Sequence, residues 1–127
     1  MCLDTIKRKT SKPGKKVFVG YKVFGKKGEM LLFRNQKLIK NRKRYSRVAR
    51  NKWLKAYKVL IEGYWNKNKK RNDWYWSGFH VFKTLNGAKK WEKYCGGVIK
   101  KVEYRGKRTE GWQDGCRVDV ADEMFIL

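Results

Sequence analysis

The stretch GFHVFKTLNGAKKWEKYCGG, residues 78–97, decides how this chain is built. Gly78-Phe79-His80-Val81-Phe82 is short, apolar and rich in aromatic and β-branched side chains, so it reads as a strand. The period then changes. Thr84 suits an N-cap, because its side-chain oxygen accepts from a free amide of a first helical turn. Ala88, Trp91, Tyr94 and Cys95 form one apolar stripe at helical spacing. Gly96-Gly97 ends the helix, since glycine takes the left-handed conformation of a C-terminal cap. Val98 to Tyr104 resumes as a strand. The spacing thus predicts strand, helix over about 84–95, and strand.

Upstream, Val17, Val19, Tyr21 and Val23 alternate and fall on one face, so Val17 to Phe24 is a strand. Gly25 to Gly28 is a hairpin-type turn and Met30 to Phe33 a second short strand. Ala49, Trp53, Ala56, Tyr57 and Leu60 sit at helical spacing, which gives a second, basic helix over about 44–56. The alternative is a long loop entering a strand at Tyr57 to Ile61, and periodicity does not separate the two. Gly63-Tyr64-Trp65 leads into the polar loop NKNKKRND. Downstream, Arg105 to Gly115 reads as a polar excursion, followed by short strands at Cys116 to Val120 and Met124 to Leu127. The expected fold is α+β: a small, twisted, mainly antiparallel sheet with one clear helix. Residues 1–16, with turn chemistry at Pro13-Gly14, are expected as a basic, partly flexible arm anchored by Leu3 and Ile6. Residues 17–127 make a single α+β domain, which suits the length of 127.

The charge is lopsided. Lys and Arg number 34 against 11 Asp and Glu, a net charge of +23. Self-repulsion on this scale opposes compaction unless a polyanion or counterions screen it. Nineteen aromatic side chains (six Trp, seven Tyr, six Phe) argue for a folded basic domain over a disordered tail. Residues 1–73 hold 24 of the basic and 4 of the acidic residues, so the first half should build the polyanion surface. The densest run contributes Arg34, Lys37, Lys40, Arg42, Lys43, Arg44, Arg47, Arg50, Lys52 and Lys55, with Lys58 after them. Lys67, Lys69, Lys70 and Arg71 form a second cluster. Such cations bind phosphates by releasing counterions, and Trp65 and Trp74 beside them offer stacking surfaces. Trp74, Tyr75 and Trp76 serve equally well as core, and alternation buries at least one of Trp74 and Trp76. No zinc-finger spacing, RNA-recognition octamer or GXXG loop is present, so binding without sequence specificity is expected.

Other chemistry is thin. Cys2, Cys95 and Cys116 have no CxxC spacing, and His80 is the sole histidine, so no metal site and no cofactor are expected. The cysteines read as reduced thiols. His80 reads as a hydrogen-bonded structural histidine, and Asp122-Glu123 as turn carboxylates. No apolar run approaches the ~18 residues of a membrane span, and no apolar segment follows the basic N-terminus as in a secretory signal. The expected setting is a host-cell cytoplasm, a nucleoid or a virion interior, with no secretion.

Several of these motifs together resemble a family. They are Met1-Cys2-Leu3, Tyr21-Lys22-Val23-Phe24, Gly78-Phe79-His80-Val81-Phe82 with Ala88, the Val98 to Val102 strand, and Val120-Ala121 with Met124 and Ile126. The pattern is similar to a set of short, functionally uncharacterised proteins of phages, prophages and their bacterial hosts. It spans residues 15–127 loosely and implies a viral origin. The Arg34 to Lys58 run lies outside it. A more distant likeness is to ADP-ribosyltransferase-type folds, with Tyr21-Lys22, Gly78 to Ala88 and Glu123 in the matching places. That likeness implies an enzyme with Lys22, His80 and Glu123 in its site. Lys22 stands where such enzymes carry Arg or His. The sequence favours a nucleic-acid binder over an enzyme. The competing reading is a host-takeover or anti-defence protein whose basic face docks on an acidic host protein or nucleoprotein complex.

Overall fold

Asp114-Gly115 sets the largest feature of the molecule. Both residues have positive φ, 50° and 77°. A two-residue hairpin loop needs that at both central positions, which is why Asp-Gly is favoured there. The loop joins two long strands with Gln113 opposite Cys116. A computed structural model describes residues 3–25, 52–56, 58, 60–66 and 70–127. Its elements are β1 (Thr5–Lys9), β2 (Phe18–Phe24), β3 (Trp53–Lys55), β4 (Leu60–Asn66), β5 (Arg71–Trp76), β6 (Phe79–Phe82), α1 (Leu85–Cys95), β7 (Val98–Gln113) and β8 (Cys116–Ile126).

The expected excursion from Arg105 to Gly115 is therefore mostly strand, and the two expected terminal strands are one. The reason lies across the ladder. Arg105 Nε donates to Glu123 Oε2 at 2.7 Å, and Arg108 Nε to Asp122 Oδ1 at 2.7 Å. Opposite charges facing one another stabilise a strand pair instead of a solvated loop.

One edge of β7 serves two strands. Residues 98–104 pair with β2, and residues 109–112 pair with β1. Between them Gly106 takes φ 72° and the β7–β8 register shifts after Lys107, so the strand bends there. β8 pairs with β6 along Val118 to Ala121 and with β3 along Glu123 to Phe125. β2 meets β6 at Tyr21 and Phe82. These antiparallel pairings close a ring, β2-β6-β8-β7, with β1 and β3 added at its margins. β4 and β5 form a separate two-stranded ribbon.

Inside the ring pack Phe24, Phe79, Val81, Val102, Tyr104, Ala121, Met124 and Ile126, drawn from all four of its strands. Outside it, Val23, Phe82, Val118 and Val120 are covered by Ala88 of α1, Leu3, and Ile61 and Tyr75 of the ribbon. The helix follows its sequence signals: Thr84 Oγ1 accepts from the Gly87 amide at 3.1 Å, and Gly96 ends it at φ 67°.

The fold is α+β, dominated by antiparallel sheet, with one helix among the described residues. Trp53–Lys55 form a strand, so the expected second helix does not run through 53–55. Leu54 is buried and Lys55 exposed, the alternation of a strand that borrows its backbone partners from β8. Residues 44–51 of that helix and the expected Met30 to Phe33 strand lie outside the described residues. The segment expected as an arm contains β1, and Leu3 is buried. Of the alternating face of β2, Val23 is buried but Val17 and Val19 are exposed, since α1 packs over only the Val23 end of that face.

Candidate functional site

Trp74 and Trp76 lie two residues apart on β5 and so share a face. Both are exposed, by 45% and 44%, while Tyr75 between them is 1% exposed. The expectation that alternation buries one of the two tryptophans is thus corrected: the pair goes outward together and Tyr75 takes the inward side. Leu60, opposite Trp76 across the ribbon, is exposed as well. The ribbon presents an apolar face that the described residues leave partly open.

Tyr75 mounts this face on the body. Its oxygen accepts from the Leu3 amide at 3.0 Å, and its hydroxyl lies 2.9 Å from His80 Nε2. His80 Nδ1 lies 3.2 Å from the Gly78 carbonyl, which can only accept. The chain of donors fixes the tautomer: Nδ1–H donates to Gly78, and Nε2 accepts from Tyr75. Lys9 adds a tie, donating from Nζ to the Trp74 carbonyl at 2.8 Å.

Two adjoining clefts run beside the tryptophans. The smaller, about 240 Å³, is lined by Lys9, Thr10, Ser11, Leu60, Trp74, Tyr75, Trp76, Arg108 and Thr109. The larger, about 650 Å³, has as its charged walls Lys15, Lys55, Lys58, Arg105, Asp122 and Glu123. Arg108 of the smaller reaches Asp122 of the larger, and Lys58 Nζ lies 5.4 Å from the centre of the Trp76 ring. The two acids are engaged by the two arginines. Lys9, Lys15, Lys55 and Lys58 form no ion pair with a described acid. An anion entering the clefts therefore meets four ammonium groups that no described carboxylate neutralises.

Of the residues expected to bind nucleic acid, Trp74 and Lys55 lie at these clefts, and Lys52 and Lys70 are exposed. The backbone of Trp65 lies in β4 and that of Arg71 in β5. Arg34, Lys37, Lys40, Arg42, Lys43, Arg44, Arg47, Arg50, Lys67 and Lys69 lie outside the described residues. Lys9, Lys15, Trp76, Arg105 and Arg108 were not among the expected site residues. Lys9 and Lys15 belong to the basic segment before β2, and only the pairing of β1 with the far end of β7 brings Lys9 to Trp74.

Lys22, His80 and Glu123 do not form one site. Lys22 and His80 are buried and line neither cleft, whereas Glu123 lines the larger one. Lys22 Nζ donates to the His80 carbonyl at 2.9 Å, and burial brings its pKa down to about 7. Burial first, and the charge of Lys22 second, hold the His80 imidazole well below its usual range. A neutral imidazole that already donates to one group and accepts from another is structural. Inside the ring, Tyr104 donates to Asp119 Oδ2 at 2.6 Å, and burial raises its pKa above the usual phenol value.

No protein-family model, curated protein or solved structure matches the chain. Among the described residues no group of three His, Cys, Asp or Glu side chains is placed to hold a metal ion. No helix among them is long and apolar enough to cross a membrane.

Proposed function

We propose that this protein binds nucleic acid without sequence specificity, through phosphate contacts from its lysines and stacking on its tryptophans. The observation that carries this reading is the pairing of Trp74 and Trp76, exposed on one strand face, with four lysines along the adjoining clefts that pair with no described acid. The net charge of +23 supplies the long-range attraction. The cleft cations without a described acid partner are lysines, point charges that suit phosphates. Its setting is then wherever nucleic acid is concentrated, a nucleoid or a virion interior.

The test is a salt titration of binding to labelled DNA, followed by fluorescence anisotropy. Four phosphate contacts give a log–log slope of about −3 to −4. Affinity that stays flat between 0.05 and 0.3 M salt would remove the electrostatic mechanism. The exposed Leu60, Trp74 and Trp76 also suit a protein interface, in which tryptophans often carry most of the binding energy. Partners retained on the tagged protein after nuclease treatment of a cell extract would favour that second reading.

A further inference from the structure

We infer that the ribbon face takes unpaired nucleic acid, with one base on each of Trp74 and Trp76. This rests on the proposed nucleic-acid binding and adds which form of nucleic acid is held.

Spacing is the first argument. Two residues along a strand span about 6.6–6.8 Å. Successive charges along one strand of duplex DNA are about 3.4 Å apart along the axis, and its bases are closed face to face. Bases seated on both rings must be separated from one another to about twice that rise. A strand held in a duplex reaches this state only by unstacking a step, at a cost of about a few kcal/mol, which a flexible free strand largely avoids.

Pairing of rings with cations is the second. Lys9 Nζ is held at the Trp74 carbonyl, 2.8 Å away, and Lys58 Nζ lies 5.4 Å from the Trp76 ring centre. An ammonium thus lies at each tryptophan, at the backbone carbonyl of Trp74 and at the ring of Trp76. A nucleotide repeats one planar base with one phosphate, so the ribbon repeats the complementary set. Stacking tolerates any base, since every base has a π-face. Leu60 beside Trp76 widens the apolar floor. A second copy of this chain is a poor occupant, because each copy brings a charge of +23. An acidic peptide satisfies the lysines but offers no regular planar faces to the rings.

The experiment compares full-length wild type with the double variant Trp74→Ala/Trp76→Ala. Its probes are a labelled 20-mer of dT, a 20-mer of rU, a blunt duplex of 20 base pairs, and two base-free polyanions, polyphosphate and polyglutamate. Wild type should bind dT and rU more tightly than the duplex. The double variant should lose at least about 25-fold on both single strands, some fivefold per ring at the weak end of stacking. It should change by less than about twofold on polyphosphate and polyglutamate. Trp74→Phe/Trp76→Phe should recover most of the loss, and a cooperative melt shared by all three proteins shows that the fold is intact. Equal affinity for single strand and duplex overturns the inference, as does an equal loss on polyglutamate, which would make the face a grip for an acidic protein. Wild type that binds none of the five probes at low salt overturns the nucleic-acid reading itself, a different result.

Discussion

The cations of the β7–β8 hairpin and those along the clefts have opposite employment. In the hairpin, Arg105, Lys107 and Arg108 each meet a carboxylate, from Glu123, Glu110 and Asp122. At the clefts, Lys9, Lys15, Lys55 and Lys58 meet none among the described residues. A paired guanidinium holds two strands in register and has little charge left for a ligand. Apart from the Lys9 tie to the Trp74 carbonyl, an unpaired ammonium contributes little to the fold, and its repulsion of its neighbours opposes folding until an anion arrives. The two groups also divide along the sequence: the paired cations come from residues 105–108 and the unpaired ones from residues 9–58. The excess of charge in the first half thus marks where ligand, in place of carboxylate, is the expected counter-charge.

The largest effect expected from this contrast follows removal of the free lysines. In Lys9→Ala/Lys15→Ala/Lys55→Ala/Lys58→Ala the salt slope on single-stranded DNA should fall by about 3, since each phosphate contact contributes about 0.7. At 0.1 M salt that is a loss on the order of a thousandfold. Melting temperature should change by no more than a few degrees, as relief of repulsion offsets loss of the Lys9 hydrogen bond to the Trp74 carbonyl. Lys107→Ala, which strips one paired cation, should change affinity by less than about threefold, while Glu110 loses the partner that holds its pKa below the usual value. Its folding stability should then become less sensitive to acid below about pH 4.5, measured by urea unfolding. A large binding loss in Lys107→Ala would break the division between the two groups.

The sequence disclosed this contrast unevenly. Thr84, Gly96 and the stripe through Ala88 and Trp91 are local signals, so the helix and its flanking strands were legible within a few residues. Residues 1–73 showed where the charge lies because composition needs no fold. The hairpin was signalled by Asp114-Gly115, but the charges from Arg105 to Glu110 masked it: their acids stand about 14 to 18 positions away on β8, except Glu110. The ring was not legible, since Tyr21 and Phe82 meet only when β6 and β2 flank a bent β7–β8 pair. Lys9 could not be assigned to Trp74, 65 residues on, for the same reason.

Lys22 is a third kind of cation, buried and with no carboxylate beside it among the described residues. Its pKa is about 7 folded and 10.5 in an open chain. Between those values the unfolded state holds a proton that the folded state lacks. Its contribution to stability therefore rises with pH from about 7 to 10.5, and the penalty of burial is complete below 7. Lys22→Met removes that penalty, on the order of 4 kcal/mol at neutral pH. It also leaves the His80 carbonyl without this donor, at about 1–3 kcal/mol. The variant should be more stable than wild type near pH 7 and less stable near pH 10, so the two urea-unfolding curves cross. Parallel pH profiles would mean that the buried ammonium carries no such cost.

The smallest effect concerns the mount of the tryptophan face. Tyr75→Phe keeps the ring that packs with Ile61 and Leu3 but removes the oxygen between the Leu3 amide and His80 Nε2. An amide and an imidazole nitrogen lose a partner in a buried place, which costs about 1–2 kcal/mol. For a domain of this size that lowers the melting temperature by a few degrees. The backbone of β5 keeps its pairing with β4, so Trp74 and Trp76 should still face outward and affinity for oligo-dT should change by less than about threefold. Acid should act alike on the two proteins. Neutral His80 supports the fold above about pH 6.5, and that support fades as pH falls further, because the unfolded chain takes up the proton first. Burial and the Lys22 charge both remain in the variant, so the two proteins should lose similar stability between pH 6.5 and 5. An oligo-dT affinity that falls in step with stability would show that the binding face depends on this buried chain of hydrogen bonds, and that the separation between structural and ligand-facing groups stops short of the ribbon.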